Sequence, residues 1–128
     1  MIRVVVLVRA VGRLRPDSWL QFDLPDVPQP GSYISIYRGD PPETHSEDMV
    51  VEKVWWRLKH PETGAYGSNP PLIGSPIEIM VECTQAIGPH SNDRWRDGLE
   101  AARASGIDVP EFEIDRFSVR QNAFSKKS

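Results

Sequence analysis

The stretch that most constrains this chain is Leu-Pro-Asp-Val-Pro-Gln-Pro-Gly, residues 24–31. Pro25, Pro28 and Pro30 each remove a backbone donor and fix φ, so the segment is stiff and cannot pair inside a sheet. It must separate strands, and the alternation on either side says which ones. Before it, Ser18 to Leu24 sends Leu20, Phe22 and Leu24 one way and Trp19, Gln21 and Asp23 the other. After it, Gly31 permits a sharp turn into Tyr33 to Tyr37, where Ile34 and Ile36 take the core face and Tyr33, Ser35 and Tyr37 the opposite one.

Three further segments carry strand patterns. Ile2 to Val11 is apolar on both faces through its middle and predicts a central strand covered on both sides. A short turn then predicts an antiparallel hairpin with Ser18 to Leu24. Met49 to Lys59 holds two phases, Met49, Val51 and Trp55 against Val50, Val54, Trp56 and Leu58, with Glu52 between. Either both faces are partly covered or a bulge near Glu52 and Lys53 reverses the phase. Ile77 to Gln85 alternates best: Ile77, Ile79, Val81 and Cys83 inside, Glu78, Glu82 and Thr84 outside.

One helix is predicted, Asn92 to Ser105, from the stripe Trp95, Leu99 and Ala102. Asn92 or Asp93 caps its start, and Gly106 is a left-handed stop. The polar run Gly39 to Asp48 reads as an exposed, mobile loop, and His60 to Ser75 as a second long loop. Past Val109 and Pro110, residues 112–119 read as a bulged last strand or an arm packing on a second subunit. Together these elements predict a mainly β (α+β) fold, a small bent antiparallel SH3-like barrel or roll of about five strands with one C-terminal helix packed on it. The expected organisation is one domain over residues 1–120 and a flexible tail over 121–128. The SH3-like likeness is architectural, and no motif points to a named family.

Chemistry is sparse. His45, His60 and His90 fall in predicted loops without metal-ligand spacing, and His45-Ser46-Glu47-Asp48 reads as a solvated loop. The glycines Gly64, Gly67 and Gly74 lack the Gly-Lys-Ser/Thr ending of a phosphate loop and precede a strand. Glu78 and Glu82, like Glu111, Glu113 and Asp115, recur at strand spacing on what should be a wet face. Cys83, the single cysteine, is in phase with the core and reads as a small hydrophobe. No catalytic residue, metal site or cofactor is expected.

The aromatics say more. With the core side chains inside, Trp19, Tyr33 and Tyr37 face outward, joined by Trp55, with Arg57 and Lys53 in its phase. Such a surface, with the edge strands and the loops Gly39 to Asp48 and His60 to Ser75, suits a non-enzymatic interaction module that binds a protein partner or a second copy of the chain. The competing expectation is that the Trp95 helix or the C-terminal arm covers this face as a second small core. Stacking of single-stranded nucleic acid on the same rings is the first alternative, disfavoured by the net charge of −3. A small-ligand binder or enzyme with a pocket between barrel and helix, near Cys83, His90 and Trp95, is the second. The Val4 to Val8 run is too short for a membrane span or a secretory core, so no membrane partner is expected and the expected compartment is the cytoplasm.

Overall fold

A computed structural model of the chain describes residues 1–39, 45–61 and 73–112. Five strands, β1 (Ile2–Arg9), β2 (Ser18–Leu24), β3 (Tyr33–Arg38), β4 (His45–Lys59) and β5 (Ser75–Gln85), precede one helix, α1 (Asp93–Ala104). They form one sheet in the order β2-β1-β5-β4-β3, curled into a half-barrel. The mainly β, barrel-plus-helix architecture is the expected one. The pairing departs from it at one seam: β1 and β5 run parallel, Val5 opposite Met80 through Arg9 opposite Thr84, so the sheet is mixed. All other neighbours are antiparallel.

The inner face of the curl carries the main core. Val4, Val6, Met49, Val51, Val81 and Cys83 are fully enclosed, with Phe22, Leu24, Ile34, Ile36 and Val54 around them. Burying each large side chain of this kind contributes roughly 1.5–3 kcal/mol. The stiff proline segment contributes Val27 to this core, and Gly31, at φ 92°, makes the turn that bonds it to Val51 in both directions.

The two phases of β4 are resolved by a bulge. Val51 faces Cys83 and Lys53 faces Glu82, leaving Glu52 as the extra residue. Met49 and Val51 point inward before it and Val54 after it, as one inserted residue requires.

The polar run at residues 45–48 is strand, not loop. It pairs with β3 from Arg38 opposite His45 to Ser35 opposite Asp48. Its charges are matched locally: Glu47 pairs with Arg38, and Asp48 is buried beneath Ser91. Thr84, expected on the wet face, is buried beneath an ion pair described below. Ile77 is half exposed because β1 meets β5 only over Met80–Thr84, so the start of β5 runs beyond β1.

Helix α1 forms as its sequence requires. Asn92 Oδ1 accepts the Trp95 amide at 2.8 Å. At the other end Ile107 N donates to Ala102 O and Gly106 N to Arg103 O, with Gly106 at φ 94°, a Schellman stop. Leu99, Trp95 and Ala102 join Val11, Ile87 and Val109 in a second, smaller core. The chain then returns beside Ile87, whose amide donates to Pro110 O and whose carbonyl accepts the Phe112 amide. No helix among the described residues is long and apolar enough to cross a membrane. Of the expected features, the Gly64 and Gly67 loop, the strand or arm beyond Phe112 and the tail over 121–128 lie outside the described residues.

Candidate functional site

The outer face of the sheet is divided in two. Cross-strand partners share a face, so one row runs Arg9, Thr84, Val50, Tyr33, and two others run Trp19, Leu7, Glu82, Lys53 and Gln21, Val5, Met80, Trp55. The first row lies at the end covered by the second layer, residues 86–112. There the Tyr33 ring meets Phe112 edge-to-face at 4.9 Å. The other two rows lie beyond that layer. Trp19 is 62% exposed and Trp55 54%, with Val5, Leu7 and Met80 partly exposed between them.

The five aromatic and basic positions singled out by sequence are therefore divided too. Trp19, Trp55 and Arg57 share the bare part of the outer face. Tyr33 sits half-buried under Phe112, so the second small core claims that end. Tyr37 is exposed on edge strand β3 opposite Ser46, roughly 30 Å of strand away from Trp55. Lys53 is opposite Glu82 and Arg57 opposite Glu78, so the cations of this surface already face carboxylates. The β4–β5 hairpin continues past β1 and β3 as an arm, and its inner-face residues Trp56, Leu58 and Ile77 are more than half exposed. Alternation alone puts Ile77 inside; it cannot show where the neighbouring strands stop.

The bulge residue is tied down at the boundary between bare and covered regions. Glu52 Oε2 accepts Arg9 Nη2 at 2.8 Å and Oε1 accepts the Thr84 hydroxyl at 2.7 Å, while Arg9 Nη2 also reaches Thr84 Oγ1 at 2.6 Å. Burial pushes the Glu52 carboxyl up, but the Thr84 hydroxyl and the Arg9 guanidinium together hold it below the ordinary glutamate value. A carboxyl depressed by folding stabilises above its ordinary range, and that contribution is lost as pH falls through the lower folded value. The pair is partly solvated, so its worth is about 1 kcal/mol or less. Glu52→Gln should lower the urea midpoint at pH 7, and the difference from the natural chain should shrink as pH drops below the glutamate range. A difference that grew on acidification would contradict this assignment.

Several concavities border the second layer or the hairpin arm, one of them, of about 370 Å3, beside Arg9, Glu52 and Thr84. A cleft of about 550 Å3 between α1 and the sheet is lined by Val11, Gln85, Asn92, Trp95 and Leu99 among others. Three of its polar groups serve the fold: Gln85 Oε1 accepts the Val11 amide, Asn92 caps α1, and Trp95 Nε1 donates to Ala86 O at 2.9 Å. A cavity of about 410 Å3 lies where the arm's two strands meet, against Leu58, His60, Pro61 and Pro76. Another, of about 310 Å3, lies between β3 and the loop preceding α1 and includes Asp48 and His90. His60 and His90 are both exposed and lie in different concavities, so they form no joint site. Among the described residues no three His, Cys, Asp or Glu side chains gather as a metal site. Cys83 is fully buried and contributes to the core.

Sequence reading missed Asp48. Nothing in its local pattern distinguishes it from its polar neighbours, because its partner Ser91 lies 43 residues away. Comparison of the chain with family models, curated proteins and solved structures finds no match.

Proposed function

We propose that this protein is a non-enzymatic interaction module that binds a protein partner, in the first instance a second copy of itself, through the bare outer face and the β4–β5 arm. One observation carries the reading. Trp19 and Trp55 are each more than half exposed, on one face, with apolar Val5, Leu7 and Met80 between them. Contiguous apolar surface of this kind marks association sites, and Trp is among the residues that most often dominate binding energy. Self-association is favoured by the charge pattern, since Lys53 with Glu82 and Arg57 with Glu78 place both signs on one surface, as a two-fold interface needs. Strand β2, at one end of the sheet, and the part of β4 beyond β3 add backbone edges that no strand among the described residues covers. The same reading takes the chain as one SH3-like domain over residues 1–120, acting in the cytoplasm.

Stacking of nucleic acid has less support, because the cations beside Trp55 face carboxylates and leave little charge for phosphates. Light scattering across protein concentration should give a mass that rises with concentration. Trp19→Ala and Trp55→Ala should each weaken association about tenfold or more, and Tyr37→Ala, at the distant edge, much less. A strict monomer at millimolar concentration, or association indifferent to both tryptophans, would overturn the proposal.

A further inference from the structure

We infer that the cavity beside Asp48 is a binding site for a primary alkylammonium group. Asp48 is 2% exposed. Its backbone is fixed by β4, opposite Ser35, and its carbonyl accepts the Ala86 amide at 3.0 Å. One carboxyl oxygen is engaged: Oδ2 accepts the Ser91 hydroxyl at 2.6 Å, and that hydroxyl in turn accepts the Gly88 amide at 2.9 Å. The other, Oδ1, is buried with no hydrogen-bond partner among the described residues. Gly88 is what allows this close approach, since a Cβ there would come within 2.9 Å of Oδ2.

A buried carboxyl oxygen without a donor is costly, and each such group in a native structure calls for a specific reason, a bound cation among them. Asp48 itself helps to line a cavity of about 310 Å3, walled by Tyr33, Ile34, Pro89, His90 and Phe112. That volume is at the low end for small-molecule sites, enough for a short stem.

The chemistry of the occupant follows from what is free. Two carboxylate oxygens would suit the fork of a guanidinium, but Ser91 holds one of them, leaving a single acceptor that matches the compact donor of an ammonium. A hard divalent cation needs several oxygen ligands, and no such group is present among the described residues. Largely apolar walls suit the methylenes of an alkyl stem, and aromatic rings tolerate a nearby cation. The ammonium group belongs either to a free amine or to the side chain of a lysine in a polypeptide. This site is separate from the bare face and stands whether or not that face self-associates.

The test is titration of the 15N-labelled full chain with n-butylammonium, with n-butanol and with a blocked Gly-Lys-Gly peptide. Saturable shifts of the Asp48, Gly88 and Ser91 amides are expected with butylammonium, at least about tenfold weaker with butanol and in Asp48→Asn. Tighter binding of the peptide identifies a lysine side chain as the source, and binding of butylammonium alone a free amine. Equal binding of amine and alcohol, retention in a folded Asp48→Asn, or no saturable shift by either cation would overturn the assignment. The amine and alcohol comparison uses only the natural chain, so it decides the matter even if the variant does not fold.

Discussion

Replacing Met49 with alanine is expected to lower the unfolding free energy by about 2–5 kcal/mol, the range for truncating a fully buried large aliphatic side chain. Met49 is completely enclosed and lies between β3 and β5, opposite Ile34 on one side and Gln85 on the other. The curled sheet cannot easily close over a void there, because Val51 and Val81 are fixed in strands paired on both sides. Against a typical total of about 5–15 kcal/mol, the loss leaves the domain near the limit of folding. Urea denaturation measures it as a lower midpoint at unchanged slope. Met80→Ala is the control: Met80 lies on the outer face and is only partly buried, so its loss should be distinctly smaller. Equal effects of the two substitutions would mean that the inner face is not the main core.

The inner face was legible because its information is local. Ile34, Ile36, Val51, Val81 and Cys83 announce themselves by period two, and Glu52 announces the bulge by breaking it. The ends of α1 were legible for the same reason, since Asn92 and Gly106 act within a few residues of themselves. What was not legible depends on distant partners. Nothing in Val5 to Arg9 says that Met80 to Thr84 will run parallel beside it, because a parallel seam leaves no mark on either strand's alternation. The buried state of Asp48 depends on Ser91 and Gly88, supplied by the loop that follows β5, Ser91 lying 43 residues further along the chain. Trp56, Leu58 and Ile77 have the phase of core residues and are nevertheless half exposed, because β4 and β5 outrun β1 and β3. The candidate surface was half legible: outward phase correctly places Trp19 and Trp55 on one bare face, whereas the covering of Tyr33 follows from where Phe112 returns after α1.

Cys83 should be almost inert toward alkylation in the folded chain, and its reactivity should report the folding equilibrium. The thiol is fully buried. Burial foremost, and then the charges of Glu52 and Glu82, push its pKa up to about 12 from an ordinary 9.0. Since the thiolate is the nucleophile, this alone leaves roughly a thousandfold fewer reactive groups at pH 8 than an ordinary thiol would have. Iodoacetamide at pH 8 should therefore label Cys83 at least about a thousandfold more slowly in buffer than in denaturing urea, through transient opening. If so, Met49→Ala should accelerate labelling by the factor its destabilisation implies, about thirtyfold to several thousandfold for 2–5 kcal/mol. The proton linkage has a definite sign. The folded chain holds the thiol proton more tightly than the unfolded one, so this contribution is complete below the ordinary value of 9.0 and is lost as pH rises toward about 12. Labelling as fast in buffer as in urea, or unchanged by Met49→Ala, would mean that the seam between β1, β5 and β4 opens independently of the rest of the sheet.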